Sequence, residues 1–90
     1  MALFPLGQVV ATPGALTALQ KAEQEPREFI DRHINGDWGE LSPEDRQEND
    51  FSVTHELRIL SAYTTSAGDR IWIITEADRS TTTILLPSEY

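Results

Sequence analysis

Ninety residues with fifteen Asp and Glu against seven Lys and Arg carry a formal charge of −8, which opposes direct binding to nucleic acid, where affinity comes from neutralising phosphates with Lys and Arg. The length fits a single small domain, and 39% hydrophobic content with two Trp, three Phe and two Tyr is enough to build one modest core. The absence of cysteine removes thiolate nucleophiles, disulfides and Cys-based zinc or iron–sulfur sites, a habit expected of a cytoplasmic protein.

Met1 to Leu6 is apolar but follows no basic region and is broken by Pro5 and Gly7, so neither a signal peptide nor a membrane span is expected there. Leu6 to Ala11, with Val9 and Val10, is expected as an added edge strand. Thr12-Pro13 then supplies an N-cap and a first helical residue, and Ala15, Leu16, Ala18, Leu19 and Ala22 recur near a period of 3.6 through Glu23. Pro26 ends this helix or starts the next, which carries Phe29, Ile30 and Ile34 and meets Asn35-Gly36, a ready left-handed C-cap. Asp37-Trp38-Gly39 reads as an irregular connection. Ser42-Pro43-Glu44-Asp45 repeats the cap-and-proline start with two carboxylates where the helix dipole favours them. The third helix is expected to reach about Thr54, although Phe51, Val53, His55, Leu57 and Ile59 also alternate as a strand would.

Leu57 to Thr65, Arg70 to Glu76 and Thr81 to Leu86 are β-rich runs separated by Ser66-Ala67-Gly68-Asp69 and Ala77-Asp78-Arg79-Ser80, both suited to hairpin loops. Ile71-Trp72-Ile73-Ile74 is apolar at successive positions and fits a central strand; the Thr81-Thr82-Thr83 start suits an outer one. The expected architecture is α+β, in the order β-α-α-α-β-β-β, with the helices on one face of a small antiparallel sheet of three to four strands spanning residues 1–90. Its core should draw on Val9, Leu16, Leu19, Phe29, Ile30, Ile34, Leu60, Ile71, Ile73 and Leu85.

The charge is localised. Glu23 to Asp50 holds ten acids against Arg27, Arg32 and Arg46, a net −7, whereas the remainder of the chain is −1. On the third helix Glu44 and Glu48 are four apart and Asp45 and Glu48 three apart, so like charges face one another at roughly 0.2–0.5 kcal/mol per pair. Solubility does not require that placement. One reading is a solvated helix face; the other is a surface offered to a basic partner, in the manner of proteins that imitate the DNA backbone. Trp38, flanked by glycines, suits either an anchor into such a partner or a plug between helices and sheet, the plug being preferred. The expected partner-binding residues are Asp37, Trp38, Glu40, Glu44, Asp45, Glu48 and Asp50.

Catalytic signatures are sparse. His33 and His55 lack the spacing of a helical zinc motif, no G-x-S-x-G or phosphate-cradling glycine pattern occurs, and fifteen carboxylates offer chance pairs without specificity. Neither cofactor nor metal is expected. Arg58, Arg70 and Arg79 are expected at solvated strand or turn positions and Trp72 in the core. The alternatives are a small-ligand- or metal-dependent enzyme working in a helix–sheet cleft near His33, His55 and Trp38, and a homodimer formed through an open sheet edge.

The stretches Val9-Val10-Ala11-Thr12-Pro13-Gly14-Ala15-Leu16, Gly36-Asp37-Trp38-Gly39, Leu60-Ser61-Ala62-Tyr63 and Ile71 through Ser80 resemble a group of small bacterial proteins labelled plasmid-related, some of which carry a type I restriction-modification label. The resemblance implies a mobile-element setting, in which small acidic proteins that inhibit host defence recur, and it lends no catalytic residue. A chain of this length is too short to be a methyltransferase subunit.

Overall fold

The computed structural model describes residues 2–90; Met1, the first residue of the apolar N-terminal stretch, lies outside the described residues. The elements are β1 (Gln8–Ala11), α1 (Pro13–Ala22), α2 (Pro26–Ile34), α3 (Pro43–His55), β2 (Ile59–Thr64), β3 (Arg70–Thr75) and β4 (Thr81–Leu85), followed by a 3-10 turn, Pro87–Glu89. This is the α+β order expected. No helix among the described residues is long and apolar enough to cross a membrane.

Each helix starts on proline behind an extended cap. Thr12 Oγ1 accepts from Ala15 N and Ser42 Oγ from Asp45 N, each at 3.2 Å, satisfying amides that no helical carbonyl reaches. Glu89 closes the same end of α1 from the far end of the chain: its carboxylate accepts from Thr12 Oγ1 at 2.5 Å and from Gly14 N at 3.2 Å, a negative charge at a helix N-terminus. The helices α1 and α3 end on left-handed Glu23 and Glu56, at φ 55° and 54°.

The sheet order is β1-β4-β3-β2. The strands β2, β3 and β4 form an antiparallel meander, while β1 joins β4 in parallel, Gln8 opposite Thr81 and Ala11 opposite Ile84, so the sheet is mixed. β3 is interior, as its apolar run requires. β4 is interior too, contrary to the expectation from its three threonines. The reason lies in Thr82, fully buried, whose hydroxyl has polar partners inside the core; a threonine so satisfied behaves there as a β-branched residue.

Ala15, Leu19, Phe29, Ile30, Tyr63, Ile71, Ile73 and Ile84 form the main core between α1, α2 and the sheet, each buried Leu or Ile contributing about 1.5–3 kcal/mol. A second cluster joins Phe4, Trp38 and Ile59, flanked by Leu6, Ile34, Leu41 and Val53. Val9 and Leu16, expected in the core, are instead 46% and 44% exposed. The stripe of α1 that meets the sheet is Ala15, Ala18 and Leu19, and Leu16 lies about 100° round the helix from Ala15; Val9 sits on the outermost strand with no element beyond it. Trp72 is half-buried rather than core, because its face of the sheet is covered chiefly by Tyr90, whose ring meets it edge-on at 5.7 Å.

Candidate functional site

The acidic connection and α3 are built around one edge of the sheet. On the free side of β2 the peptide groups of Leu60 and Ala62 are closed. Glu40 N donates to Ala62 O at 2.7 Å and Ala62 N donates to Trp38 O at 3.1 Å, a short parallel bridge centred on Gly39. Gly39 has φ 78°, and a Cβ there would stand 2.0 Å from Ala62 O, so only glycine lets the backbones approach. One turn further on, the Asn49 amide of α3 does the work of a strand peptide: Nδ2 donates to Leu60 O at 2.7 Å and Oδ1 accepts from Leu60 N at 3.2 Å. The buried positions of α3 are thus Asn49 and Ser52, and a polar helix face docks on backbone instead of apolar side chains.

This frame sorts the residues expected to bind a partner. Trp38 is 4% exposed, packed 6.3 Å from Phe4, with its indole N–H donated to Asp50 Oδ1 at 3.0 Å; it plugs the second core cluster and presents no anchor to a partner. Asp37 is paired with Arg32 at 2.7 Å, and this hydrogen bond holds its carboxyl below the usual range and raises the Arg32 guanidinium. Glu40 pairs with Arg70 at 3.5 Å and accepts from Thr64 Oγ1. Asp50 is exposed but holds Trp38. The exposed carboxylates of Glu44, Asp45 and Glu48 are in none of the ion pairs among the described residues.

Two of those carboxylates adjoin apolar surface. Asp45 and Glu48 border a shallow cleft of about 220 Å³ floored by Leu41 and Leu60 and closed by Asn49. At helical spacing Glu44, Glu48, Phe51 and His55 fall on one stripe, and Phe51, 50% exposed, stacks on His55 with ring centroids 3.7 Å apart. The surface is therefore a row of unpaired carboxylates continued by an exposed aromatic.

His33 lies in the core, in the last turn of α2, fully buried between Phe4 and Trp38. Its Nδ1 is 2.6 Å from Ser61 Oγ and its Nε2 2.9 Å from Thr75 Oγ1; Thr75 Oγ1 is 2.8 Å from Thr82 Oγ1, which donates to Leu6 O at 2.7 Å. A carbonyl only accepts, so the proton order is fixed along the chain. Thr82 accepts from Thr75, Thr75 accepts from the His33 Nε2–H, and bare Nδ1 accepts from Ser61. Burial pushes the imidazole down to about 4, consistent with a neutral ring. His55, by contrast, is exposed, so the two histidines that the enzyme alternative places beside one cleft are divided between core and surface. Among the described residues no three His, Asp or Glu side chains gather as metal ligands would.

Two residues with structural work were not anticipated. Arg79, expected as a solvated turn residue, donates to Ser52 O at 2.9 Å and Leu57 O at 2.7 Å, tying the β3–β4 turn to the end of α3. Asn49 had one signal in the sequence: Asn49 and Ser52, three apart, fall on the helix face where an apolar stripe would be expected. Compared with protein-family models, with curated proteins and with solved structures, the chain matches none.

Proposed function

We propose that the chain is a non-enzymatic interaction module that presents Glu44, Asp45 and Glu48, with Phe51 beside them, to a basic protein that handles nucleic acid. The observation that carries this reading is the exposed, unpaired state of those three carboxylates next to an apolar cleft and an exposed aromatic. Folding makes no use of them beyond the helix N-terminus, and Glu44 opposite Glu48 costs stability. A Lys or Arg of the partner would lay its aliphatic stem on Leu41 and Leu60 and its charged head between Asp45 and Glu48. Steering by the −8 field raises the association rate and makes it salt-dependent. The mobile-element setting implied by the sequence resemblance adds a role: inhibition of a host-defence enzyme by occupying its nucleic-acid-binding surface.

The test is affinity capture of cellular partners at about 0.05 M and about 0.5 M NaCl, conditions that bracket a roughly three-fold change in screening length. A specific partner is held at low salt, released at high salt, and lost from the triple variant Glu44→Lys/Asp45→Lys/Glu48→Lys. It is retained by Glu23→Lys/Glu25→Lys/Asp31→Lys, which changes net charge equally at another exposed site. Retention by the first variant, or equal loss from both, refutes the assignment to α3.

A further inference from the structure

The two edges of the sheet are treated differently. At β2, Leu60 and Ala62 are closed by Asn49 and by the Trp38–Glu40 segment. At β1, the outermost strand, no further strand pairs among the described residues. Gln8 N and Thr12 N donate to Ser80 O and Ile84 O of the β4 side, so by alternation the N–H and C=O of Val9 and Ala11 point away from the sheet, into solvent. An open edge of this kind is a template for another strand.

The electrostatics select the occupant. No charged side chain precedes Lys21, and Leu3, Val9, Val10 and Leu16, all large apolar residues 38–49% exposed, lie in that uncharged stretch. The carboxylate at the C-terminal end of β1, that of Glu89, is taken up by Thr12 Oγ1, Gly14 N and Leu86 N, so a charged peptide would find no free complementary group on β1. A second copy of this chain brings the same strand without charged side chains, and on a molecule of charge −8 two copies meet here without opposing free carboxylates. The edge is also self-complementary. If two β1 strands run antiparallel about a two-fold axis through Val10, Val9 of each faces Ala11 of the other as a hydrogen-bonded pair. Val10 then faces Val10 as the closer, non-hydrogen-bonded pair, side chain against side chain on the axis.

We infer that the chain self-associates through antiparallel pairing of β1 edges, giving a continuous sheet across two copies. A seam this short belongs with weak interfaces, so the dimer forms reversibly. It strengthens with salt as the mutual repulsion of the two acidic bodies is screened. The partner of the acidic α3 surface has the opposite salt dependence, so the two associations are separable and neither rests on the other.

Sedimentation equilibrium from about 10 µM to about 1 mM, at low and high salt, measures the expected weak range. A monomer–dimer equilibrium is expected, with at least a several-fold tighter dimer at high salt. Val9→Pro removes only the outward N–H, leaves the β1–β4 bonds in place, and is expected to weaken the dimer at least ten-fold with an unchanged circular dichroism spectrum. Because the chain has no native cysteine, Val10→Cys is expected to cross-link across the axis under mild oxidation, its Cβ atoms within disulfide reach, whereas Thr64→Cys on the opposite edge is not. A protein that stays monomeric to 1 mM at both salts, or a folded Val9→Pro variant that dimerises as tightly as the parent, overturns the inference. So does equal cross-linking of the two cysteine variants, which assigns association to another surface or to random collision.

Discussion

His33 has hydroxyl partners on both ring nitrogens and no anion beside it, so its burial favours only the neutral ring. The unfolded chain takes up a proton near the ordinary value of 6.5, whereas the folded chain resists until about 4. Between those limits the unfolded state binds more protons, and stability therefore rises with pH. The stabilisation is complete above about pH 6.5, is lost progressively on acidification through the window, and amounts to about 3 kcal/mol in all. Urea unfolding at pH 7.5, 6 and 5 is expected to show this slope, and His33→Gln, which cannot take up a proton, to flatten it while costing about 2 kcal/mol at pH 7.5 through imperfectly matched hydroxyls. An unchanged slope in that variant would remove His33 as its source. Gly39→Ala tests a different constraint at the same scale. The new Cβ would meet the Ala62 carbonyl, so the bridge must part, with an expected loss of more than 2 kcal/mol and a blue-to-red shift of Trp38 emission as its shelter opens.

At the scale of elements, α3 is held by polar side chains reaching backbone. Asn49→Ala leaves the Leu60 N–H and C=O without their partners, with an expected cost of about 2–3 kcal/mol and faster hydrogen exchange at the Leu60 amide. Arg79 sits at φ 61°, a strained value for an arginine, offset by its bonds to the Ser52 and Leu57 carbonyls. Arg79→Gly relieves the strain but drops those bonds; Arg79→Lys keeps the charge but replaces a planar fork with a single ammonium. Both variants are expected to be about 1–2 kcal/mol less stable, with exchange accelerating from Ser52 through Ile59. Such docking explains what was legible in the sequence. Proline starts, caps and the β-rich runs placed all three helices and the meander, because those signals are local. The interior position of β4 and the polar buried face of α3 depend on which hydroxyls and amides meet across the chain, and the exposure of Leu16 on which stripe of α1 the sheet meets; no local pattern carries either. The acidic surface was legible as composition, but Asp37, Trp38, Glu40 and Asp50 proved to have internal partners, a division that appears only when Arg32, Arg70 and the indole are brought beside them.

For the whole molecule the charge distribution becomes a division of surfaces. Three of the unpaired carboxylates, Glu44, Asp45 and Glu48, lie on α3, beyond the β2 edge, and the uncharged first twenty residues include β1, at the opposite edge. Raising salt is therefore expected to act in two directions on one protein, loosening a basic partner and tightening the pair of copies, and a titration that follows both in one sample distinguishes them. Thermal stability should also rise modestly with salt, since screening relieves the like-charge contacts Glu44 with Glu48 and Asp45 with Glu48. A melting temperature that falls between about 0.05 and 0.5 M NaCl would indicate that attractive ion pairs such as Arg32 with Asp37 outweigh them.

The parallel pairing of β1 with β4 also bears on how the chain is made. Leu6 and Thr82, joined through a hydroxyl and a carbonyl, lie 76 positions apart, and β4 leaves the ribosome after β1, the three helices and two further strands. Until then β1 has no sheet to join, and the helices have only part of the surface that buries their apolar faces. Completion of the sheet thereby waits on a contact between distant parts of the chain, the kind that forms slowly, and until it forms Val9 and Val10 have no neighbouring strand.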